Sequence, residues 1–568
     1  MIDWIRLEHS AWGDRLHRRL TELDRQRIVA RIWEHDHRVW KPEPTEITNR
    51  LGWLHTVTAM QKASADWPAW VDQLYAEGYR HALLLGMGGS SLAPEVFSKT
   101  FGSRRLRLEV LDSTDPAAVL ACAEALDLRR TLFIVSTKSG GTVETFSFFR
   151  YFYNRVAETL GAERAGEHFV AITDPGSALA ETAQRYAFRK TFLNDPNIGG
   201  RYSALSCFGL VPAALIGVDL PLLLARAGRM MSACGAEVPA GQNPAAQLGA
   251  MMGELAHLGR DKLTFVVSRA IASFGDWLEQ LIAESTGKEG TGILPVVGEP
   301  LAGPELYGQD RVFVRLSLDA SPDDQADEAR LQALEEAGHP VVRMRLADSY
   351  DLGGQFFLWE LATAVAGHIL GINPFDQPNV EAAKVLARHM VAEYKARGSL
   401  PDESPALTDQ GVAVYGRPPA GPTPVNLRDV WMSFLGMAQP GDYLALQAYL
   451  APTPATDAAL SELRLRLRQR SRLATTVGYG PRFLHSTGQL HKGDAGHGLF
   501  VQITADAARD VPIPDEAGKP ESSITFGVLE MAQALGDRQA LLNAGRRVLR
   551  FHLKDALAGL HSLSEALA

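Results

Sequence analysis

Two loops of small and hydroxyl-bearing residues lie one strand apart in the first third of the chain. One is in the run HALLLGMGGSSLAPEVF, residues 81–97, and the other in TLFIVSTKSGGTVETFSFF, residues 131–149. Each follows an apolar run typical of a buried strand and precedes a predicted helix. Glycine lets a backbone approach a ligand, while hydroxyl groups and helix N-termini attract anions. We therefore expect an anion site, most often a phosphate site, built from both loops.

A dinucleotide site is the main alternative for the first loop. Its glycines nearly fit G-x-G-x-x-G, but Ser91 occupies the position of the third glycine. Asp112 closes the next predicted strand, where a ribose-binding acid would lie. The second hydroxyl-rich loop favours the phosphate site, because a nicotinamide-dependent dehydrogenase does not need it.

Arg201 follows the paired glycines Gly199 and Gly200 in the run NIGGRYSALS. Its guanidinium could point at bound oxygens while the glycine backbone leaves room for the ligand. The alternative is an ordinary surface or helix-capping arginine.

Glu284 continues an apolar helical stripe in the run FGDWLEQLIAESTGK. Trp277, Leu281 and Glu284 share one face at helical spacing, with Gln280 beside them. A carboxylate in that position would be partly desolvated, which suits a base for proton transfer. The alternative is a glutamate that faces solvent or pairs with Lys288.

Lys384 and Gln377 lie in the run NPFDQPNVEAAKVLARHM. Pro378 is predicted to start a helix, with Lys384 on one side of it and Gln377 just before it. Taken alone, this pattern indicates an ordinary capped helix.

Three histidines recur near the end of the chain in YGPRFLHSTGQLHKGDAGHG: His485, His491 and His497. Their spacing matches no standard metal site, so we expect no bound metal. The loop could still contribute to an anion site or to a subunit interface. The arginine-rich run 464–472 is typical of a solvated helix face, and nucleic-acid binding there is the weaker alternative.

These side chains need a scaffold, and alternating apolar runs and helices predict two α/β units with parallel sheets. Ligands bind such sheets beyond the carboxyl ends of the strands, where both loops lie. The predicted strands are 81–85, 105–111, 131–136, 168–173 and 188–193 in the first unit, and 263–267, 312–316 and 340–346 in the second.

The chain divides into five predicted segments. They are an N-terminal helical arm (1–75), a first α/β domain (76–235), a second (236–398), a proline-rich linker (399–425) and a smaller C-terminal α+β unit (426–568).

Composition excludes several classes of function. The 568 residues are 46% hydrophobic and carry a net charge of -9, so a large core is expected and general attraction to nucleic acid is not. Cys122, Cys207 and Cys234 lack CxxC spacing and are typical of reduced core residues in a cytoplasmic protein. Prolines and an aspartate interrupt the longest apolar stretch, 209–225, so we expect no membrane span. The N-terminal run MIDWIRLEHSAW has an early acid and no apolar h-region, so we expect no signal peptide.

The ordered motifs GMGGSSLAP, STKSGGTVET, GGRYS, AESTGK and NPFDQPNVEAAK resemble the glucose-6-phosphate isomerase family over roughly residues 78–397. With FLHSTGQLHKG near the end, the layout is most similar to the isomerase half of bifunctional transaldolase/glucose-6-phosphate isomerases. We expect no separate transaldolase barrel in this chain, because the isomerase units fill it. The resemblance implies two SIS-type domains of doubly wound parallel sheet, no cofactor and a homodimer.

The resemblance also assigns roles to individual residues. The residues that match the substrate-binding and phosphate-binding motifs are Gly89, Ser90, Thr137, Lys138, Ser139, Thr142 and Gly200. Arg201 matches the arginine that stabilises a cis-enediolate, and Glu284 matches the base that moves a proton between C1 and C2. Gln280 and Gln377 match glutamines that line the sugar site. Lys384 matches a lysine linked to ring opening.

One position departs from the family pattern. Many members have a histidine, acting across the dimer interface, that assists ring opening and follows a GEP…GQ pattern. Here the run is GEPLAGPELYGQDRVFV, and Asp310 holds that position. Asp310 could carry out the acid–base step, or His485 or His491 could reach the site from the C-terminal unit.

The resemblance therefore implies an enzyme that interconverts glucose 6-phosphate and fructose 6-phosphate. The phosphate would supply binding energy away from the reacting carbons, and Arg201 would act where negative charge develops. Mannose 6-phosphate or a pentose phosphate stays open as a further substrate. The alternatives are a non-catalytic SIS-type sugar-phosphate regulator, which has no use for Glu284 and Arg201, and a nicotinamide-dependent dehydrogenase.

Overall fold

The computed structural model describes residues 12–319, 324–401, 403–416 and 423–568. Four helices lie within the segment predicted as an N-terminal arm: α1 (Gly13–Arg25), α2 (Ile28–Trp33), α3 (Trp53–Ala63) and α4 (Trp67–Ala76). Their apolar side chains join a core shared by both of the sheets that follow. Trp53, for example, is fully buried and packs against Tyr202 with ring centroids 5.3 Å apart. The arm therefore helps to fix the two sheet units against each other.

The first sheet is entirely parallel, in the order β2-β1-β3-β4-β5. Its strands are β1 (His81–Gly86), β2 (Arg107–Leu111), β3 (Thr131–Ser136), β4 (Phe169–Thr173) and β5 (Lys190–Leu193). Its helices are α5 (Leu92–Phe101), α6 (Pro116–Ala125), α7 (Val143–Leu160), α8 (Ala162–Ala165), α9 (Ala178–Arg185), α10 (Cys207–Ile216) and α11 (Leu220–Ala233). All five predicted strands are confirmed. Because β1 and β3 are neighbours, with Gly86 opposite Ser136, both loops leave the same edge of the sheet.

The second sheet is also parallel, in the order β7-β6-β8-β9. Its strands are β6 (Lys262–Val267), β7 (Leu294–Val296), β8 (Arg311–Leu318) and β9 (Val341–Leu346). Its helices are α12 (Pro244–His257), α13 (Phe274–Thr286), α14 (Asp324–Glu336), α15 (Leu352–Leu370) and α16 (Glu381–Arg397). The three predicted strands are confirmed, and β7 was missed because its three residues give no usable pattern. The α/β class with parallel sheets is thus correct.

The third sheet has the order β10-β11-β17-β14-β12-β13. Its strands are β10 (Leu407–Asp409), β11 (Val412–Tyr415), β12 (Tyr443–Tyr449), β13 (Ala474–Tyr479), β14 (Gly498–Ala505) and β17 (Arg547–Leu553), and β15 (Pro512–Ile513) pairs separately with β16 (Ile524–Thr525). Its helices are α17 (Leu427–Leu435), α18 (Pro454–Ser471), α19 (Gly488–Gly493), α20 (Phe526–Asn543) and α21 (Ala556–Glu565).

The C-terminal unit differs from the α+β fold predicted for it. Strands β12, β13, β14 and β17 are parallel and repeat the order second-first-third-fourth of the other two sheets. Strands β10 and β11 are antiparallel additions, and they come from the segment predicted as a proline-rich linker. Three of the prolines behind that prediction, Pro418, Pro419 and Pro422, lie outside the described residues.

The C-terminal unit packs on the first unit through the segment that contains β15 and β16. Phe526, at the start of α20, is fully buried and stacks on Phe148 of α7 with centroids 5.7 Å apart. Val511 and Ile513 belong to the same apolar cluster. The two units therefore share a core and not only a rim of polar contacts. Among the helices that the structure describes, none combines the length and the apolar character that crossing a bilayer requires.

Candidate functional site

The two predicted loops meet at the carboxyl edge of the first sheet. The Ser136 hydroxyl donates to the carbonyl of Ser90 at 3.2 Å, which ties the second loop to the first. The hydroxyls of Thr137 and Thr142 lie 2.9 Å apart, and the Ser139 hydroxyl accepts from an amide of its own loop at 3.3 Å. The second loop runs into the N-terminus of α7, which is 18 residues long. Hydroxyl groups and a helix N-terminus therefore converge where the sequence predicts a phosphate.

Lys138 points elsewhere. Its ammonium contacts the Asp174 carboxylate and donates to the carbonyl of Pro196 at 2.8 Å. A phosphate contact from this residue would therefore have to come from its main chain.

Gly89 packs directly against Gly200. A Cβ atom at position 89 would overlap the carbonyl group of Gly200, so only glycine fits there. Position 200 faces open space, with no atom within 4 Å of an added Cβ. The first loop is thereby locked to the segment that delivers Arg201.

Arg201 is a buried arginine, 3% exposed. Its Nε donates to Ser285 at 2.8 Å, and Nη1 donates to the Gln377 side chain at 3.0 Å. Nη2 donates to the carbonyls of Pro374 and Asp376 at 2.7 and 2.9 Å. The guanidinium is thus fixed by two distant segments of the second unit, and the surface and capping alternatives are wrong.

Glu284 lies beside this guanidinium. Its Oε1 is 3.1 Å from Nη1 of Arg201, its Oε2 accepts from Nε2 of Gln280 at 3.0 Å, and its side chain is 13% exposed. Lys288 pairs instead with Asp376 at 2.8 Å, so the alternative Glu284–Lys288 pair is wrong. Burial and the nearby charge of Arg201 lower the pKa of Lys288 to about 8. The carboxylate therefore has one cationic and one amide neighbour, as a positioned base requires.

Gln280 connects the carboxylate to the C-terminal unit. Its Nε2 also donates to the carbonyl of His485 at 2.7 Å. Its Oε1 is buried and has no hydrogen-bond partner among the described residues. A buried acceptor without a donor is costly, so a ligand hydroxyl at this position would satisfy it.

His485 reaches the same site from the C-terminal unit. Its Nε2 lies 3.0 Å from Oε1 of Glu144, in the first turn of α7. Burial alone would raise the pKa of Glu144, but the charge and hydrogen bond of His485 outweigh it, so the net pKa lies below the ordinary value. The charge of Lys384 lowers that pKa further, which brings Lys384 into the same neighbourhood. Helix α16, which carries Lys384, begins at Glu381 and not at Pro378.

Within one chain, Asp310 contacts Lys262 and His491 contacts Gln447. Asp310 directly precedes β8, and its carboxylate lies 3.8 Å from the ammonium of Lys262 at the start of β6. The assignment of Asp310 to the site stays a prediction, because the resemblance places that position at a dimer interface, which a single chain does not contain. His491 is 2% exposed and its Nδ1 faces Gln447 at 3.3 Å, inside the C-terminal unit. Within the described ranges, no group of three or more His, Cys, Asp or Glu side chains could hold a metal ion.

Sequence reasoning missed four side chains of the site: Thr114, Glu144, Ser285 and Gln533. Glu144 and Ser285 stand inside motifs that were recognised, but acids are common in the first turn of a helix and serines are common everywhere. Nothing in the sequence indicates that Thr114 and Gln533 meet, 419 residues apart.

Comparison with known proteins supports this picture. A family model described as phosphoglucose isomerase matches residues 60–302. A glucose-6-phosphate isomerase of Rubrobacter xylanophilus is 31% identical over 364 residues, which cover 55% of this chain and 83% of that protein. The crystal structure of a hypothetical protein of Thermus thermophilus superposes with a TM-score of 0.58 at 27% identity, covering 67% of this chain and 97% of that one. A glucose-6-phosphate isomerase of Chlamydia trachomatis shares the fold, with a TM-score of 0.52 at 19% identity, over 66% of this chain and 80% of its own.

Proposed function

The chain belongs to the phosphoglucose isomerase family, and from this premise we propose that it interconverts glucose 6-phosphate and fructose 6-phosphate, with Glu284 as the base. The observation that carries the proposal is the Arg201–Glu284 pair, 3.1 Å apart, at the edge of the sheet where both hydroxyl loops end. An aldose–ketose isomerase needs a phosphate anchor, a base over C1 and C2, and a cation near O1 and O2. All three kinds of group converge here.

The phosphate is held by the hydroxyls of Ser90, Thr137, Ser139 and Thr142 together with the N-terminus of α7. This contact is remote from the reacting carbons, so its binding energy orients the sugar without taking part in the chemistry. The amide oxygen of Gln280 accepts from a sugar hydroxyl, because it has no other partner among the described residues. Gln377 holds Arg201 in place, in keeping with its predicted role in the sugar site.

Ring opening comes first, since the sugar phosphate is mainly a closed ring. It needs a proton donor at the ring oxygen and an acceptor for the proton of the anomeric hydroxyl. We assign the donor to His485, which is supported by the contact of its Nε2 with Glu144 and by the hydrogen bond from Gln280 to its carbonyl. Lys384 assists by its charge.

Isomerisation follows on the open chain. The Glu284 carboxylate removes the proton from C2, electrons shift toward the carbonyl oxygen, and a cis-enediolate forms. The hydroxyl proton of O2 passes to O1 within the cis-enediolate, and Glu284 returns its own proton to C1, which completes the change from aldose to ketose without loss of atoms or electrons. Arg201 stabilises the negative oxygen, and its burial makes that interaction stronger than it would be in water.

Three further features belong to the proposal. The family resemblance favours a homodimer that uses no cofactor, and the free cysteines fit the cytoplasm. The layout is most similar to the isomerase half of bifunctional transaldolase/glucose-6-phosphate isomerases. This similarity includes the motif FLHSTGQLHKG of the C-terminal unit, which lies outside the residues matched by the family model.

A coupled assay on fructose 6-phosphate in the presence of EDTA tests the function. We expect turnover by the wild type and a loss of at least about a thousandfold in Glu284→Gln, because proton transfer loses its base. Glu289→Gln is the matched control, since this exposed glutamate pairs with Lys41. Equal rates in wild type and Glu284→Gln would remove Glu284 from the mechanism. Binding of the sugar phosphate without turnover by the wild type would favour the regulator.

A further inference from the structure

We infer that the C-terminal unit completes the active site within a single chain, and that Gln533 of this unit is a positioning residue for the reaction. The inference rests on the proposed function. Two separate elements of the unit meet at Glu144: the short 3₁₀ turn Arg482–His485 and helix α20. Neither element lies in the part of the chain that the family model matches.

Gln533 is held in one orientation. Its Nε2 donates to Oε1 of Glu144 at 2.6 Å, and its Oε1 accepts from the hydroxyl of Thr114 at 3.0 Å. All three side chains are at most 4% exposed. Because the threonine hydroxyl donates to the amide oxygen, the amide NH₂ must face the carboxylate. Gln533 therefore fixes the orientation of the Glu144 carboxylate, which in turn contacts Nε2 of His485.

The 3₁₀ turn is anchored to the first unit as well. Arg482, three residues before His485, contacts the Glu95 carboxylate and lies 3.4 Å from that of Asp112. Arg482 is thus shared by two acids of the first unit, while Gln280 of the second unit holds the carbonyl of His485. His485 therefore contacts both other units of its own chain: its ring contacts Glu144 of the first unit, and its carbonyl accepts from Gln280 of the second.

This arrangement accounts for the aspartate at position 310. A chain that brings its own histidine to Glu144 has no need of one at the position where the family pattern places it. It follows that the catalytic unit is one chain: a homodimer can form, but its interface supplies no ring-opening group. Activity per chain is then independent of association.

Complementation between two inactive full-length variants tests whether the site is built in one chain. His485→Asn and Glu284→Gln are co-expressed with different tags. Dimers that carry both tags are isolated, and they are compared with the co-expressed mixture and with each variant alone. In our arrangement every chain has one defect in its own site, so the mixture stays as inactive as the separate variants. If the histidine acted across an interface, one of the two sites in each isolated mixed dimer would be intact, and the mixed dimers would regain about half of the wild-type rate. That recovery would overturn the inference, whereas an inactive wild type would count against the proposed function instead.

Gln533→Leu tests the positioning role, with Gln539→Leu on the exposed side of the same helix as the control. Loss of the donor raises the pKa of the Glu144 carboxyl, so we expect the acid limb of the kcat–pH profile to move to higher pH. We also expect kcat to fall about tenfold with KM nearly unchanged. Gln539→Leu should match the wild type. A Gln533→Leu enzyme that melts earlier but keeps the wild-type profile and kcat would reduce Gln533 to a packing residue and overturn its assignment.

Discussion

The C-terminal unit presents two polar faces to the rest of the chain, and they differ in kind. The first-unit face, Arg482, His485 and Gln533, meets Glu95, Asp112 and Glu144. The second-unit face, Arg464, Arg468 and Thr475, meets Glu299 and the main chain around it. Both faces bury charge between units. The first-unit face lies beside Gln280, whose buried Oε1 accepts no hydrogen bond among the described residues and whose Nε2 binds Glu284.

The second-unit face is built around the carboxylate of Glu299, and two buried donors in it, Nε of Arg311 and Nε of Arg468, have no hydrogen-bond partner among the described residues. The Glu299 side chain is fully buried, accepts from Arg311 at 2.8 Å and from Thr475 at 2.9 Å, and lies near two further arginines. Arg464 donates to the carbonyl of Val297 at 2.8 Å and to that of Thr475 at 2.5 Å. The arginine-rich run predicted to be a solvated helix face is in this part buried, because alternate arginines cap carbonyl groups of the second unit. Such a network of buried ion pairs can fix the geometry in which the C-terminal unit packs on the second unit.

The first-unit face lies beside a hydrogen-bond acceptor that is unpaired within the described ranges. Gln280, which binds the carbonyl of His485, keeps a buried oxygen without a partner among the described residues, and His485 has its Nε2 on Glu144. Burial of polar groups is therefore no sign of function by itself. What separates the two faces is the place of the atoms that are unpaired in the described part of the chain: Oε1 of Gln280 lies beside the Arg201–Glu284 pair, whereas Nε of Arg311 and Nε of Arg468 lie in the network around Glu299.

The largest effect that separates the faces is expected for His485→Asn. Loss of the proton donor should lower kcat about 100- to 10,000-fold while KM changes little. His497→Asn is the control, because this histidine of the same motif has a side chain that is 42% exposed and lies 3.5 Å from Asp442. Steady-state rates and melting temperatures of both variants check the point. Retention of the wild-type kcat in folded His485→Asn would remove it from the reaction and would weaken the contrast between the faces.

Glu299→Gln should show the opposite behaviour. Removing the carboxylate leaves Arg311 buried without its ion pair, so the free energy of unfolding should fall by about 3–5 kcal/mol at neutral pH. The rate of the folded fraction should stay within about twofold of the wild type, since Glu299 touches no residue of the site. Denaturant titration and the coupled assay, run on one preparation, measure both quantities. A large loss of kcat without loss of stability would show that the second-unit face also serves catalysis.

The stabilisation by Glu299 should depend on pH with a known sign. Burial raises the pKa of this carboxyl, but Arg311, Arg464 and Arg468 outweigh burial and hold the pKa below the ordinary value of 4.5. The stabilising contribution is therefore complete above pH 4.5 and is lost as pH falls through the lower pKa of the folded state. The gap in melting temperature between wild type and Glu299→Gln should be constant from pH 7 to about 5 and should narrow below that. A gap that widened on acidification would contradict the pairing.

The sequence predicts the first-unit side of this comparison far better than the C-terminal side. Strands β1 and β3 are long, apolar and flanked by glycine, so their positions and the common edge of their loops follow from pattern and topology. The Arg201–Glu284 pair comes from the family resemblance, because spacing alone does not favour it over a surface arginine and a helix-end glutamate. The strands of the third sheet were not predicted, since the glycine-rich stretch hides the βαβ periodicity there.

The His485–Glu144 contact joins residues 341 positions apart and depends on how the C-terminal unit docks. Local pattern carries no information about docking, which rests on buried faces such as Phe526 on Phe148. Gln533 stands in MAQALGDRQALLN, where a glutamine is simply a good helix former. Asp310 shows a second limit: a motif identifies its position, but a single chain, which places its carboxylate beside Lys262, does not test a role across an interface.

The smallest effect is expected at the rim of the first-unit side. Arg185 and Glu516 form an ion pair whose side chains are 67% and 45% exposed, between α9 and the segment around β15 and β16. Because water screens such a pair, Arg185→Met should leave the melting temperature within about 2 °C of the wild type, with kcat unaltered. Salt titration of both proteins provides the check, since any difference between them should vanish at high ionic strength. A shift as large as that of Glu299→Gln would mean that the charged rim, and not the Phe526–Phe148 core, holds the C-terminal unit on the first unit.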